Sequence, residues 1–371
     1  MKTVLVAPRK YVQGRGVLAE LGTFVAAIGK RPLVLWDAKV RGTVGETVLG
    51  SLKAASLGTV DAAFGGESTK AEAERVAALA RSEKADVILG IGGGKTLDTA
   101  KAAAARAGTK IVTVPTIASN DSPTSSFTVW YDDKHNCLGF ESWGVNPDLV
   151  LVDTQVIAQA PVRAFVAGMG DALATHLEAE ACFKARGGNL VGGQPTMAAR
   201  ALARLCYETL LEHGLEAKRA VEKKAVTAAL EKVVEANVLL SGLGFESGGV
   251  ATAHMVANAL PGLAECRGLM HGEEVAWGIM TQLALDEDLP AAEVRRVVDF
   301  MVAVGLPVTL ADVGLAGATR QRLRPIGQAC AVKGSLCENH PFEVTSEGLV
   351  DAMIAADALG AARKALAAAA P

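Results

Sequence analysis

The glycine-rich run GIGGGKTLD, residues 90–98, is the strongest chemical signal in this chain. It follows an apolar, strand-like segment and opens a helical one, so its backbone N–H groups can approach an anion at the favourable end of a helix dipole. A P-loop needs glycine where Leu89 stands, and the GxGxxG fingerprint needs glycine where Lys95 stands, so neither standard motif is present. We interpret the run as a phosphate-binding turn; a plain strand-to-helix turn is the alternative.

A loop rich in Ser and Thr follows another strand-like segment, over residues 113–131 (TVPTIASNDSPTSSFTVWY). Loops at the carboxyl ends of strands are where α/β proteins bind ligands, and Asp121 in this loop offers an acceptor for a polar substrate. A plain surface loop is the alternative.

Asp37 closes an earlier apolar run, where an acid can accept hydrogen bonds from ribose hydroxyls and repel a 2′-phosphate. Because Asp37 precedes the glycines, taken alone it is better interpreted as a loop or N-cap residue.

Metal-ligating residue types occur in the second half of the chain, but neither HExxH nor a His/Cys finger pattern is present. Asp171 follows GMG, which is typical of a helix N-cap. His176 lies about 140° further round that helix and would not readily share a site with Asp171. His254 lies in an apolar, small-residue segment, and His271 begins a helix-like one. Spacing alone therefore gives only weak support to a metal site formed by Asp171, His254 and His271.

The first 150 residues predict the scaffold for these groups, because apolar runs of strand length alternate there with helical segments. This pattern indicates βαβ units and a parallel sheet that is buried on both faces. The predicted strands are Arg31–Asp37, Ala85–Ile91, Lys110–Pro115 and Leu149–Val152, and the predicted helices between them are Ala71–Lys84 and Lys101–Ala107. Beyond residue 160 the strand signal disappears, and the predicted helices include Asp171–Cys182, Thr196–His213, Lys218–Ser241 and Leu349–Ala370. We predict an α/β domain over 1–160 and an all-helical domain over 161–371, with the active site in the cleft between them.

Composition excludes several classes of protein. With 50% hydrophobic and 21% charged residues the chain is not intrinsically disordered. A net charge of −3 without a Lys/Arg block argues against nucleic acid as a partner, and no apolar run is long enough for a transmembrane helix. The 6 cysteines form no CxxC pair, which is typical of reduced thiols. We expect a soluble, cytoplasmic protein that does not bind membranes.

Five motifs occur in this order in the chain: GIGGGKTLDTAK, TVPTIASNDSPTS, GMGDALATHLEAEAC, GLGFESGGVATAHMVANAL and LMHGEEVAWG. The ordered set of five is a more specific signal than any single motif. This combination closely resembles the glycerol dehydrogenases, within the iron-containing (group III) alcohol dehydrogenase superfamily, whose fold dehydroquinate synthase shares. The resemblance implies a Rossmann-like amino-terminal domain that binds NAD, an all-α carboxyl-terminal domain, and a divalent metal, normally zinc, although Fe²⁺ or another divalent ion is possible. It also suggests a homo-oligomer, commonly an octamer.

The resemblance assigns roles to individual residues. The implied metal ligands are Asp171, His254 and His271, and the implied substrate contact is Asp121. The predicted cofactor contacts are Asp37, Gly92, Gly93, Gly94, Lys95, Asp98, Thr116, Ala118, Ser125, Phe127 and Tyr131. Asn120, Ser122 and the pair Ser126-Phe127 depart mildly from the family pattern and bear on substrate preference rather than on reaction class.

The implied reaction is the reversible, NAD-dependent oxidation of glycerol to dihydroxyacetone, with other vicinal diols as further substrates. A metal with two imidazoles and one carboxylate keeps positive charge and open positions, so it can lower the pKa of an alcohol. We assign no side chain as catalytic base. The alternatives are a sugar-phosphate lyase or cyclase of the dehydroquinate synthase type and a glycerol-1-phosphate dehydrogenase, both of which need basic residues around an anionic substrate. A nucleotide-binding regulatory protein on the same scaffold is a third possibility.

Overall fold

The computed structural model describes residues 2–132 and 136–369, which divide into two compact units. An α/β unit comprises Val6–Phe165 and a later segment, Ala220–Gly242. A helical unit comprises Val166–Arg219 and the chain from Leu243 onward, together with the first few residues. The predicted fold class, an α/β part followed by a helical part, is confirmed. The return of Ala220–Gly242 to the α/β unit departs from a single boundary at residue 160, because helix-forming composition does not reveal which unit a helix packs in.

Eight strands are present in the described residues. They are β1 (Tyr11–Gly14), β2 (Pro32–Trp36), β3 (Val60–Ala63), β4 (Val87–Gly92), β5 (Lys110–Pro115), β6 (Phe127–Tyr131), β7 (Cys137–Ser142) and β8 (Leu149–Asp153). Six of them form one sheet in the order β1-β8-β5-β4-β2-β3, and every pairing in it is parallel. The four predicted strands are confirmed to within two residues as β2, β4, β5 and β8.

The described helices are α1 (Leu21–Ala26), α2 (Ala38–Ala54), α3 (Lys70–Ser82), α4 (Gly94–Ala107), α5 (Thr154–Gln159), α6 (Val162–Ala185), α7 (Met197–Glu222), α8 (Ala228–Glu235), α9 (Ser241–Gly248), α10 (Thr252–Ala259), α11 (His271–Leu285), α12 (Ala291–Val304), α13 (Arg320–Cys330) and α14 (Ser346–Ala369). None of them is long and apolar enough to cross a membrane.

Strand register brings the ends of β2, β4 and β5 to one edge of the sheet. Leu35 on β2 pairs with Gly90 on β4, and Gly92 at the end of β4 pairs with Pro115 at the end of β5. The strands are buried along their length, which explains their continuous apolarity. The segments that follow these strands are therefore neighbours at the carboxyl edge, where parallel sheets bind ligands.

The polar loop after β5 is shorter than the sequence predicts. Residues 127–131 are a strand, β6, which pairs with β7 in a separate two-stranded antiparallel sheet. The sequence FTVWY contains β-branched and aromatic residues, which suit a pleated surface. Trp130 packs edge-on against Trp143 with ring centroids 6.3 Å apart, and its Nε1 donates to Glu141 Oε2 at 3.0 Å. Cross-strand pairing thus overrides the loop character of the preceding Ser/Thr residues.

The prediction that Asp171 caps a helix is wrong, because α6 begins at Val162 and runs through it. The preceding GMG segment is helical as well, and Gly170 in it makes a close tertiary contact and does not form a turn. A Cβ at Gly170 would lie 2.3 Å from the carbonyl oxygen of Gly272 on α11. Gly170 therefore marks close helix packing and not a helix start.

The prediction of one continuous helix over Lys218–Ser241 is also wrong. Lys224 adopts a left-handed conformation, with φ 56°, after α7 has ended. Thr227 then caps a new helix, α8, by accepting a hydrogen bond from Leu230 N at 3.2 Å. Before α9 begins, residues Ala236–Leu240 form a π-helical turn. Such turns insert one residue into the helical repeat and re-aim the side chains that follow.

Helix α11 approaches its neighbours in the helical unit at backbone contact distance. A Cβ at Gly272 would lie 1.7 Å from the carbonyl oxygen of Ala167 on α6, and a Cβ at Gly278 would lie 2.0 Å from that of Ala253 on α10. Only glycine leaves room for these approaches, since no heavy atom fits at such distances. The relative positions of α6, α10 and α11 therefore depend on glycines.

Adding one methyl group at Gly278 should destabilise the protein. Gly278→Ala forces α10 and α11 apart, and overpacking of this kind costs about 1–3 kcal/mol of the free energy of unfolding. Denaturant unfolding followed by circular dichroism measures the change. The matched control is Gly42→Ala in α2, where a Cβ meets nothing within 4 Å. That control should be more stable than wild type by about 0.5–1 kcal/mol, because alanine is the better helix former. Equal stability of the two variants would contradict this view of the helix contacts.

Candidate active site

Three side chains with metal-ligating atoms converge in the helical unit. Asp171 lies in the middle of α6, His254 in the first turn of α10, and His271 is the first residue of α11. Asp171 Oδ1 is 3.5 Å from His254 Nε2 and 3.4 Å from His271 Nε2. One ligand atom from each residue lies within 4.8 Å of the others. The structure thus brings together the three residues that spacing alone supported weakly.

The donor set suits a divalent transition metal. Two imidazole nitrogens and one carboxylate oxygen are ligands for zinc or Fe²⁺, and a set of three protein ligands leaves coordination positions for a substrate. Asp171 and His254 are buried, whereas His271 has a side chain that is 37% exposed. One side of the cluster is therefore accessible to solvent.

Glu178 is a buried carboxylate that holds both His254 and the start of α10. Its Oε2 is hydrogen-bonded to His254 Nδ1, and its Oε1 accepts from Ala251 N at 2.8 Å and from His254 N at 2.9 Å. A second side chain, Gln282 of α11, accepts at 3.0 Å from Ala253 N. The first N–H groups of α10 thus have side-chain partners from α6 and α11. The bond at Nδ1 turns Nε2 toward Asp171, as outer carboxylates do for metal-binding histidines.

The electrostatics of the cluster favour a positive charge. Burial lowers the pKa of His254, but the negative charges of Glu178 and Asp171 outweigh burial and raise it well above its ordinary value. The pKa of His271 is also raised, since Asp171 and Glu274 outweigh the effect of burial. A site that stabilises an imidazolium in this way also stabilises a metal cation, which competes with the proton for the same nitrogens.

His176 takes no part in this cluster, as its position on the helix predicts. The centroid of its ring lies 4.9 Å from the centroid of the Tyr207 ring, on another side of α6. Burial lowers its pKa. His176 therefore belongs to the packing of α6 against α7.

The glycine-rich run lies at the carboxyl edge of the sheet, as predicted. Gly92 ends β4, Gly93 is the N-cap of α4, and Gly94 is the first residue of α4. No side chain caps this helix. A Cβ at Gly94 would come 2.7 Å from Asn120 Nδ2, so the backbone here passes close to the neighbouring loop. An uncapped helix start flanked by glycine is the geometry that binds a phosphate.

Three more predicted cofactor residues are Asp37, Lys95 and Tyr131. Asp37 follows β2 and is the N-cap of α2, where its side chain accepts from Val40 N at 2.8 Å. The N-cap interpretation of Asp37 is confirmed, and its contact with a ribose stays a prediction. Lys95 Nζ lies 2.6 Å from Glu67 Oε2 and 4.6 Å from the centre of the Tyr131 ring. Lys95 and Tyr131 are thus brought together, with Tyr131 contributed by β6 rather than by a loop.

The remaining predicted residues lie on the segment after β5. Thr116 follows the strand, and its N–H donates to Gly92 O at 3.0 Å, which joins the two candidate binding segments. Ala118 and Ser125 are buried, and Phe127 is the first residue of β6. Asp98, one turn into α4, is buried, and its carboxylate contacts protein groups: Ser122 Oγ at 2.6 Å and Val129 N at 2.9 Å.

Asp121 contacts the segment that returns to the α/β unit. Ser241 Oγ donates to Asp121 Oδ2 at 3.1 Å, and Thr124 Oγ1 donates to Val238 O at 2.9 Å. Asn237, fully buried in the π-helical turn, donates from Nδ2 to Ala118 O at 3.1 Å. The loop that carries Asp121 is therefore held by residues more than 110 positions later.

Sequence reasoning missed Glu178, Ser241 and Asn237. A signal existed for Glu178, because it stands seven residues after Asp171, and residues two helical turns apart share one face. No comparable signal existed for Ser241 or Asn237, because their contacts depend on the return of residues 220–242 to the α/β unit.

Comparison with known proteins shows close relatives over the whole chain. Residues 8–154 match the model of the iron-containing alcohol dehydrogenase family. A glycerol dehydrogenase from Thermotoga maritima is 46% identical over 365 residues, which cover 98% of this chain and 99% of that protein. A glycolaldehyde reductase from Halobacterium salinarum is 44% identical over 360 residues, which cover 97% of this chain and 98% of that protein. The crystal structure of glycerol dehydrogenase from Schizosaccharomyces pombe has a TM-score of 0.94 and 33% identity, and covers 100% of this chain and 94% of that one.

Glu178→Gln should weaken metal binding without unfolding the protein. The amide keeps an acceptor for the α10 backbone but removes the charge next to His254, and loss of such an outer partner lowers metal affinity about 10–100-fold. Competition titration of zinc against a chromophoric chelator measures the affinity.

The matched control for Glu178 is Glu180→Gln on the same helix. Glu180 pairs with Arg200 at a partly exposed position and makes no contact with the histidines of the cluster. This variant should bind zinc like wild type. An unchanged zinc affinity in Glu178→Gln would show that the carboxylate does not orient His254 for a metal.

Proposed function

The chain belongs to the iron-containing alcohol dehydrogenase family, and on this premise we propose that it interconverts glycerol and dihydroxyacetone with NAD and a divalent metal. The observation that carries the proposal is the Asp171, His254 and His271 cluster in a chain 46% identical to a glycerol dehydrogenase. The reaction class is oxidoreduction of an alcohol, and the substrate is a small polyol. Other vicinal diols are further candidate substrates.

The metal ligands are Asp171, His254 and His271, and the metal is zinc. One carboxylate among the ligands leaves net positive charge on a divalent ion, and imidazole suits zinc as well as Fe²⁺. When bound, such a metal acts as a Lewis acid toward the polyol hydroxyls, and NAD accepts the hydride. Glu178 keeps the His254 Nδ1 position occupied, so the Nε2 lone pair is available to the metal.

The cofactor residues lie at the carboxyl edge of the sheet. The backbone N–H groups at Gly93 and Gly94, with Lys95, bind the pyrophosphate, because an uncapped helix start carries positive partial charge. Asp37 accepts hydrogen bonds from the ribose hydroxyls of NAD and repels the 2′-phosphate of NADP. The other predicted contacts are Gly92, Thr116, Ala118, Ser125, Phe127 and Tyr131.

Asp121 positions the polyol by accepting a hydrogen bond from one of its hydroxyls. Ser241 donates to Oδ2 of this carboxylate, which restricts its orientation. We assign no side chain as the general base. Hydride transfer in the cleft between the two predicted domains, a homo-octameric assembly and a cytoplasmic location stay predictions.

A second candidate activity is the reduction of glycolaldehyde, because a glycolaldehyde reductase is 44% identical to this chain. The same ligands and cofactor site serve both directions of hydride transfer, so this candidate differs in substrate and not in mechanism. The sugar-phosphate lyase and glycerol-1-phosphate dehydrogenase alternatives are less favoured. Both need a cluster of basic side chains for a phosphorylated substrate, and in the sequence near the metal ligands only Arg267 has that character.

His271→Ala should abolish zinc binding and turnover together. The His271 side chain is partly exposed at the start of α11, so its removal should leave the packing of the core unchanged. The substitution removes one of the three proposed ligands. Zinc content by mass spectrometry and NADH formation at 340 nm measure the two properties. His213→Ala, at a partly buried position on α7, is the control and should keep both. Full turnover by the metal-depleted wild-type enzyme would contradict the metal-assisted mechanism.

Initial rates should be higher with NAD than with NADP for every diol that the enzyme accepts. A carboxylate at Asp37 disfavours the 2′-phosphate by charge repulsion, and like-charge contacts commonly cost tenfold or more in affinity, roughly 1.4 kcal/mol. Rates with glycerol, 1,2-propanediol and 2,3-butanediol, and with glycolaldehyde in the reverse direction, identify the preferred substrate. A preference for NADP would refute the role of Asp37, and no turnover of any of the four would refute the proposed function.

A further inference from the structure

Helix α4 carries a buried ion pair on the side that faces the polar loop. Lys101 Nζ lies 2.9 Å from Asp98 Oδ1, and the two side chains are 3% and 8% exposed. The pair stands one and two turns after Gly94, where the helix begins. Two opposite charges at this degree of burial are unusual unless they are paired and hydrogen-bonded.

Both members of the pair are hydrogen-bonded to the loop. Lys101 Nζ donates to Ser122 O at 2.8 Å and to Ser125 O at 3.2 Å, which lie on either side of the turn at Pro123. Asp98 accepts from the Ser122 hydroxyl at 2.6 Å and from Val129 N at 2.9 Å. The pair therefore ties together the residue that follows Asp121, the predicted cofactor contact Ser125, and the strand that follows the loop.

The energetics of the pair favour a geometric role over a stabilising one. Removing two charges from water costs about as much as their attraction returns, so a buried ion pair adds little net stability compared with apolar side chains of the same shape. The effect of the ion pair is instead to fix the orientation of the loop groups to which it is hydrogen-bonded. An ammonium that donates to two backbone carbonyls, and a carboxylate that accepts from a hydroxyl and a backbone N–H, allow one loop conformation and disfavour others.

The loop held in this way contains four of the candidate binding residues outside the cluster of Asp171, His254 and His271. Thr116, Ala118, Asp121 and Ser125 all lie between β5 and β6. The helix that bears the ion pair begins at the proposed pyrophosphate turn. A rigid α4 thus links the cofactor turn at its first residue to the loop at its second and third turns.

We propose that Asp98 and Lys101 are positioning residues that hold the loop of residues 116–126 in the conformation that binds NAD and the polyol. Asp98 then acts through the loop and not by direct contact with the cofactor. This proposal rests on the proposed function. Its structural part, the order of the loop, is testable without catalysis.

The test is the double variant Asp98→Asn with Lys101→Met, which removes both charges while it keeps the shape of both side chains and leaves no unpaired charge. Because the variant loses both bonds from the ammonium to loop carbonyls, backbone amides of residues 116–126 should exchange hydrogen at least tenfold faster than in wild type. The thermal midpoint should stay near that of wild type. With the loop displaced by about 1 Å, kcat/KM for glycerol should fall on the order of 100-fold, and KM for NAD should rise.

The control replaces the exposed pair on α3, as Glu74→Gln with Arg81→Met. This variant should keep wild-type loop exchange and kinetics. Wild-type exchange and wild-type kinetics in a folded Asp98→Asn, Lys101→Met variant would overturn the proposal.

If the double variant does not fold, Ser122→Ala decides the question, since it removes one hydrogen bond to Asp98 and no charge. Ser122→Ala should raise loop exchange and KM for NAD, and its control is Ser82→Ala, whose exposed hydroxyl donates to Leu79 O of the same helix. Unchanged exchange and KM in Ser122→Ala would then overturn the proposal. If the wild-type enzyme oxidises none of the diols with NAD, the proposed function is refuted. The exchange measurement still tests the order of the loop in that case.

Discussion

The approach of helix backbones at glycine is the constraint on which the cluster of Asp171, His254 and His271 depends. Gly272 lies against the carbonyl of Ala167 on α6, and Gly278 lies against that of Ala253 on α10. Each contact is next to a member of the cluster, because His271 precedes Gly272 and His254 follows Ala253. The side-chain atoms of the cluster lie within 4.8 Å of one another, and a Cβ at either glycine would push apart the helices that carry them. The glycines therefore allow three residues that are distant in the sequence to come together.

Once the helices are this close, one carboxylate serves two purposes. Glu178 accepts the backbone N–H groups that begin α10 and also binds the ring of His254. A fully buried carboxylate is costly to desolvate, and three hydrogen bonds offset that cost. Because the same side chain positions the helix start and the imidazole, the ring cannot rotate unless the packing of α10 changes. The negative charge it adds also explains why the site favours cations.

The sequence predicted best what depends on local pattern. Continuous apolar runs located β2, β4, β5 and β8, since strands buried on both faces carry a strong signal. It missed the short edge strands β1 and β3, whose residues are partly exposed and lack that signal. The glycines before Asp171 predict a helix start that is absent, because a glycine that permits close packing looks the same in sequence as one at a helix boundary. The candidate metal ligands came from the resemblance to a family, and the partners Ser241 and Asn237 required the tertiary structure.

Helix α4 shows how two segments at a sheet edge can be held in one arrangement. Its first residue, Gly94, belongs to the glycine turn, and its buried face carries Asp98 and Lys101 against the loop after β5. A helix is stiff over this distance of about two turns, so displacement of the turn also displaces the loop. The loop is held from its other side by Asn237 and Ser241. Contacts from two directions leave it little freedom, so residues in an irregular segment acquire the positional precision that is otherwise found on helices and strands.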